Sequence, residues 1–144
     1  MRNKKIVNTM RSKVFKSDLP DQVETYIEDL LLSRDDVPAQ VLAFHATQIM
    51  PKINVAPSQG KLLNLLVRMA GVKRVLEIGT LGGYSTVWMA LGLPQDGHVT
   101  TIDFDERYVQ IAHETFAMSG LADRISIRQG MAAEVLQQMV EEHQ

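Results

Sequence analysis

The stretch VLEIGTLGGYST, residues 75–86, decides the fold of this chain. An apolar run from Val75 to Ile78 ends in a loop with three glycines, Gly79, Gly82 and Gly83, and a helical pattern follows. A glycine loop between a strand and a helix often holds the phosphates of a nucleotide. Here a carboxylate, Glu77, stands two residues before the first glycine. The question is which ligand suits such a loop.

Outward from this loop, short apolar runs alternate with amphipathic helical patterns. Strands are predicted over residues 74–78, 99–103 and 124–128, and helices over 81–93, from Asp105 to Gly120, and after Gly130. Such alternation is typical of βαβ units, which form a parallel sheet with right-handed crossovers. The predicted fold class is α/β, a Rossmann-like doubly wound parallel sheet of which the N-terminal three-strand half is present.

Three helices are predicted before the sheet, starting near Asp18, Asp36 and Ser58, and Gly71 is expected to end the third. An apolar face is predicted on each, and that of the third helix is predicted to be turned inward. These faces are Val23, Tyr26, Ile27, Leu30 and Leu31; then Val41, Leu42, His45, Ala46 and Ile49; then Leu62, Leu63, Leu66, Met69 and Ala70.

The predicted organisation is a basic arm, residues 1–17, followed by one domain, residues 18–144. The arm has six lysines and arginines and no acid, and it is interpreted as a solvated terminus. The domain divides into a helical layer, residues 18–71, and a βαβαβα half, residues 72–144.

Composition excludes several classes of protein. The 144 residues carry a net charge of −2, which argues against a dedicated nucleic-acid binder. The chain has no cysteine, so disulfides, thiolate metal sites and a cysteine nucleophile are excluded. No apolar run approaches the ~20 residues of a membrane-spanning helix. A cytoplasmic protein with no nucleic-acid or membrane partner is therefore predicted.

The glycine loop matches neither common phosphate-binding pattern. It lacks the middle glycine of G-x-G-x-x-G and the lysine of a P-loop. Glu77 would also repel a phosphate in a poorly solvated crevice. An ammonium group suits the acid, and a carboxylate suits the N–H groups at the start of the helix. The loop therefore favours a zwitterionic amino-acid tail.

Residues after the other two strands complete the ligand. Asp103 ends the second strand, where an acid suits the hydroxyl groups of a ribose. Phe104 could lie against an adenine, and the loop at Gly130, Met131 and Ala132 could close over its edge. A ribose, an adenine, a carboxylate and an ammonium group, without phosphate, describe S-adenosylmethionine (SAM).

At this point the chain resembles a known family. VLEIGTLGGYSTVWMA, followed by GHVTTIDFDERYVQIAHETFAMSGLADRISIRQGMA, is similar to class I SAM-dependent O-methyltransferases of the catechol and caffeoyl-CoA type. The resemblance runs from about Ile53 to Gln138. It implies transfer of a methyl group to a hydroxyl of a small, phenolic or catechol-like molecule.

The resemblance also implies roles for individual residues. Glu77 and Gly79 would line the methionine pocket, and Ser85 would help to fix the carboxylate. Asp103 would bind the ribose hydroxyls, and Ile53 and Val55 would wall the site. The predicted cofactor-binding residues are Ile53, Val55, Glu77, Gly79, Thr80, Gly83, Ser85, Asp103, Phe104, Gly130, Met131 and Ala132.

Members of this family have a seven-stranded sheet, commonly use magnesium, and are often homodimers in bacteria. Their metal ligands and catalytic residue follow the third strand, so no metal ligand and no catalytic residue is assigned here. The first strand is expected to expose an apolar edge. Either the chain is part of a longer protein, which is the favoured reading, or a second copy or another partner covers that edge. We expect this chain alone to bind the cofactor weakly and not to turn over.

Two other functions are weighed against this one. A nicotinamide-dependent oxidoreductase is disfavoured by Glu77 and by the missing glycine. A non-catalytic interaction module would use the open sheet edge. Among single residues, Tyr84, Trp88 and His45 are interpreted as packing residues, and His98 as a turn residue.

Overall fold

The computed structural model describes residues 19–32 and 36–142. The predicted basic arm, residues 1–17, and the predicted helix start at Asp18 lie outside these residues. The chain divides into two compact units, residues 1–32 and 33–144. Of the first unit, the helix α1 (Leu19–Leu31) is described, and its predicted apolar face is exposed.

The second unit holds three parallel strands and the remaining helices. In chain order they are α2 (Val37–His45), α3 (Pro57–Ala70), β1 (Arg74–Ile78), α4 (Tyr84–Gly92), β2 (His98–Asp103), α5 (Glu106–Met118), a 3₁₀ turn (Ala122–Arg124), β3 (Ile125–Gln129) and α6 (Ala132–Glu141). The sheet order is β1-β2-β3. Both pairings are parallel, with Glu77 opposite Thr101 and Asp103 opposite Gln129. The predicted α/β architecture is confirmed.

Strand and helix limits follow the prediction closely. β1 has the predicted bounds, and β3 is displaced by one residue. His98 opens β2, where its ring contacts Ser126 Oγ at 2.8 Å, so its interpretation as a turn residue is wrong. α4 begins three residues later than predicted, because Gly83 adopts a left-handed conformation with φ +88° just before it.

The N-terminal helix caps agree with the prediction at two of three positions. Asp36 accepts a bond from the Ala39 N–H at 3.1 Å, and Asp105 caps α5 in the same way. Ser58 is not the cap of α3. That helix begins at Pro57, and the Gln59 side chain instead accepts the Ala56 N–H at 2.9 Å. Proline suits this first helical position because its missing N–H would have no intrahelical partner.

The buried face of α3 differs from the prediction. α3 buries Gly60, Asn64 and Val67, whereas Leu62 is 55% and Met69 83% exposed. The reason is the close approach of α3 to α4, which requires a residue without a side chain. A Cβ added to Gly60 would lie 2.2 Å from the Trp88 ring. The prediction that these five residues form the buried face of α3 is therefore wrong.

α2 ends sooner than its apolar pattern suggests. It stops at His45, so Ile49 lies beyond the helix and is fully exposed, contrary to the prediction. Val41 and His45 are buried as expected. Further along the chain, Val135 and Met139 of α6 pack on Ile102 of β2.

β1 leaves apolar surface exposed. Among the described residues it pairs with β2 alone, and Leu76 and Ile78 are 48% and 60% exposed. Within residues 19–32 and 36–142, no helix is both long and apolar enough to cross a membrane.

Candidate cofactor-binding site

A cavity of about 420 Å³ opens beyond the carboxyl ends of β1 and β2. In parallel α/β sheets, ligands bind at this edge. Seven of the twelve predicted cofactor-binding residues line it: Ile53, Val55, Gly79, Thr80, Ser85, Asp103 and Phe104. The other five, Glu77, Gly83, Gly130, Met131 and Ala132, lie outside its lining.

The glycine loop turns sharply along one wall of this cavity. Gly79 and Gly83 have φ values of +89° and +88°, and Leu81 has a φ of +50°. Glycine adopts such angles without steric cost. Gly83 is also confined by packing, because an added Cβ would lie 2.5 Å from the Phe116 ring. The loop therefore depends on glycine both for its conformation and for its contact with α5.

Asp103 holds this loop in place. Its Oδ2 accepts bonds from the N–H groups of Thr80 and Leu81, at 2.9 and 2.8 Å. Its Oδ1 accepts a third, from the Asp105 N–H at 3.0 Å. The side chain lies at the cavity wall and is buried. The acid predicted to face a ribose is thus also the anchor of the glycine loop, and the sequence pattern did not reveal that second task.

Glu77 lies behind the cavity wall. Its carboxylate accepts hydrogen bonds from the hydroxyls of Ser85 at 2.6 Å, Thr86 at 2.5 Å and Thr101 at 2.7 Å. Burial raises the pKa of Glu77 above its usual value, and the three hydroxyl donors oppose that rise. The charge of Asp103 adds to it. Three donors explain how a carboxylate is tolerated beneath the first turn of α4.

A fourth hydroxyl extends this network into the loop. Thr80 Oγ1 lies 2.6 Å from Thr101 Oγ1. Because the Thr101 proton is directed to Glu77, the Thr80 hydroxyl is the donor in this pair. Thr80 is therefore held at its amide by Asp103 and at its side chain, through Thr101, by Glu77. Both acids predicted from the motif support the loop that lies between them.

Four further residues line the cavity without having been predicted there: Asn54, Leu81, Tyr84 and Tyr108. Tyr84 is buried with its ring edge-on to Trp88, which agrees with its interpretation as a packing residue. Tyr108 has the Arg107 guanidinium 5.4 Å from its ring centre. Both tyrosines sit at apolar helical positions, where sequence alone indicates packing.

The loop after β3, which begins at Gly130, does not line this cavity. Gly130 has a φ of +148°, and its N–H donates to the Asp103 carbonyl at 2.9 Å, which ties the ends of β2 and β3 together. Met131 is 58% exposed. The roles expected for Gly130, Met131 and Ala132 at an adenine edge stay predictions.

His45 is packed directly against the glycine loop. Its Nε2 lies 2.9 Å from the Gly82 carbonyl oxygen and 2.9 Å from Thr115 Oγ1. Its Nδ1 lies 3.3 Å from the Asn54 side-chain nitrogen. Burial lowers the pKa of His45 below its usual value, and the bond to Gly82 opposes that shift. The interpretation of His45 as a packed residue holds, but its contacts connect three segments.

Across the described part of the chain, no three histidine, aspartate or glutamate side chains form a group that could hold a metal ion. No metal ligand is therefore assigned among these residues.

Comparison with known proteins identifies relatives of this chain. A family model described as O-methyltransferase matches residues 33–144. Catechol O-methyltransferase of Niastella koreensis is 40% identical over 133 residues, which cover 92% of this chain and 58% of that protein. Catechol O-methyltransferase of Mycobacterium tuberculosis is 36% identical over 117 residues, covering 81% and 53%.

Solved structures agree with these relatives. The O-methyltransferase from Bacillus cereus in complex with SAH superposes with a TM-score of 0.80 at 41% identity, covering 83% of this chain and 55% of that one. TomG from Streptomyces achromogenes in complex with SAM gives 0.75 at 35% identity, covering 82% and 53%. The chain thus spans little more than half the length of the proteins that it matches. The motif, the fold and these matches agree, and the chain belongs to the O-methyltransferase family.

Proposed function

We propose that this chain binds SAM in the cavity at the ends of β1 and β2, and that it serves an O-methyltransferase acting on a small hydroxylated molecule, although the 144 residues alone are expected to bind SAM weakly and not to turn over. When bound, SAM supplies an electrophilic methyl group. The observation that carries the proposal is the arrangement of Asp103 beside the glycine loop at the mouth of that cavity. The names of the Niastella and mycobacterial relatives favour a catechol-like acceptor.

The chain's residues offer a distinct partner to three parts of the cofactor: the ribose, the adenine and the carboxylate. Asp103 Oδ1 accepts one bond within the described chain, and a carboxylate oxygen can accept two, so it retains capacity for a ribose hydroxyl. Phe104 is 69% exposed at the cavity wall and offers an aromatic face to the adenine. The first turn of α4, where Tyr84 and Ser85 line the cavity, would offer backbone N–H groups to the carboxylate of the cofactor.

Three finer expectations are kept as proposals. A homodimeric assembly is proposed from the family resemblance, and a cytoplasmic location from the composition of the sequence. Magnesium is likewise expected for the family, but we assign it no ligands among the described residues.

Calorimetric titration with S-adenosylhomocysteine (SAH) tests the proposal. We expect saturable binding by the full chain. Phe104→Ala should bind about tenfold more weakly, since stacking of a base on an aromatic ring contributes about 1–3 kcal/mol. Met69→Ala is the matched control, because Met69 is also an exposed apolar residue but lies on α3, outside the cavity lining. Absence of SAH binding by the folded chain, or binding of NADH in its place, would refute the proposal.

A further inference from the structure

His45 has a position that the proposed function does not use. It is the last residue of α2 and is 4% exposed. An added Cβ at Gly82 would lie 2.6 Å from His45 Cε1, so the ring rests directly on the loop backbone. A polar ring buried this deeply against a ligand-binding loop calls for an explanation beyond apolar packing.

The partners of His45 determine which nitrogen carries the proton. The Gly82 carbonyl can only accept, so Nε2 is the donor, and it shares that proton with Thr115 Oγ1. Nδ1 is then an acceptor for the Asn54 amide. Both ring nitrogens have partners when the imidazole is neutral. A proton on Nδ1 would make it a donor facing the donor NH₂ group of Asn54, unless that amide rotated.

The two ends of the ring lead to two separate segments of the cavity lining. Gly82 belongs to the glycine loop, whose Gly79, Thr80 and Leu81 line the cavity. Asn54 belongs to the segment 53–55, which lines it as well. One imidazole therefore joins two segments that contribute to the same cavity.

We propose that His45 is a positioning residue of the cofactor site, which fixes the glycine loop at Gly82 relative to the segment at Asn54. This inference rests on the proposed function, because it assigns His45 to the same cofactor cavity. It adds a residue from α2, outside both the glycine motif and the cavity lining, to the parts of the chain that determine cofactor affinity.

Two conservative variants separate the two bonds of the ring. A glutamine at position 45 can place its amide near the Nε2 position and keep the bond to Gly82. An asparagine reaches only the Nδ1 position and keeps the contact with Asn54. We expect His45→Asn to weaken SAH binding about tenfold, as for a buried carbonyl left without its donor. We expect His45→Gln to weaken it by only about threefold, because the contact that it gives up, with Asn54 at 3.3 Å, is longer than the contact with Gly82 that it keeps.

Val41→Ala is the control for general destabilisation. Val41 is fully buried one turn earlier on α2 and contributes no hydrogen bond to the loop. This variant should unfold at lower urea concentration but bind SAH with wild-type affinity. If His45→Asn weakens SAH binding no more than Val41→Ala does, the inference is overturned.

A measurement without ligand keeps this test separate from that of the proposed function. Hydrogen exchange at the Thr80 and Leu81 amides reports whether the loop is held. We expect about tenfold faster exchange at both amides in His45→Asn than in Val41→Ala of matched stability, and near wild-type rates in His45→Gln. If the wild type does not bind SAH, the proposed function fails. Equal exchange in all variants overturns the positioning role, whatever the SAH result.

Discussion

Replacing Asp103 with alanine removes the acceptor for three backbone N–H groups at once. Two of these, on Thr80 and Leu81, belong to the glycine loop, and the third is on Asp105. Hydrogen bonds to a charged group contribute about 1.5–3 kcal/mol each. The two loop bonds converge on one oxygen, so their contributions are less than additive. We expect Asp103→Ala to lower the free energy of unfolding by about 3–5 kcal/mol.

Asp103→Asn is the informative companion variant. Its single carbonyl oxygen can serve the two loop amides, but its NH₂ group then meets the Asp105 N–H. We expect a smaller loss of about 1–2 kcal/mol. Urea unfolding followed by the fluorescence of Trp88, the single tryptophan, measures both values. Trp88 is 4% exposed and so reports on the folded core.

Asp96→Ala is the control, because Asp96 is an exposed acid paired with Lys73, and its loss should leave the urea midpoint close to that of the wild type. If Asp103→Ala lowers the free energy of unfolding by less than about 0.5 kcal/mol, the argument that this acid holds the loop is refuted. If the expected loss is found, failure of Asp103→Ala to bind SAH reports on loop structure as well as on contact with a ribose. Phe104→Ala is then the cleaner test of the ligand.

Further predictions follow from burial and glycine geometry. Gly60→Ala should lower the free energy of unfolding by about 2 kcal/mol or more in urea titration, because the added Cβ would meet the Trp88 ring at 2.2 Å; wild-type stability would contradict the tight α3–α4 contact. Gly83→Ala combines a φ of +88° with a Cβ 2.5 Å from Phe116, and calorimetry should find it less stable than Gly120→Ala, whose Cβ would meet nothing within 4 Å. Glu77→Gln should change the pH dependence of unfolding. In the folded protein the pKa of Glu77 is raised above its ordinary value of 4.5. The contribution of Glu77 to the free energy of unfolding is therefore greatest below pH 4.5, and it is lost as the pH rises through the folded-state pKa. Unfolding titrations from about pH 4 to 8 should therefore show the variant gaining stability relative to the wild type as pH increases, and a constant difference would contradict the burial of that charge.

The strands and the loop were predictable because they depend on local pattern. β1 is one apolar run that ends at a glycine, and βαβ alternation determines the parallel order. The face of α3 was not predictable in this way. Its leucines suggest an apolar stripe, but the closest helix neighbour, α4, selects Gly60 and Asn64 instead, since Asn64 donates to the Trp88 carbonyl at 3.0 Å. A contact made through backbone leaves no apolar signal in the sequence.

The candidate site, too, could be predicted from the sequence only in part. The spacing from Glu77 to Asp103 located the edge of the sheet at which the cavity opens, but not what each acid does there. Their hydroxyl and amide partners come from residues whose types are common in helices and strands, such as Thr86 and Thr101. His45 lies 37 residues before Gly82, and no local pattern joins the two. Tertiary contacts of this length become visible only once the chain is folded.

The position of the cavity residues along the chain also bears on folding during synthesis. Its residues run from Ile53 to Tyr108, and the two carboxylates and all their partners lie within that span. A nascent chain thus carries every component of the cavity wall before β3 and α6 have been synthesised. The binding of a cofactor to such a chain on the ribosome would stabilise the β1–β2 pair early, and the ligand would then guide folding as well as serve the finished protein.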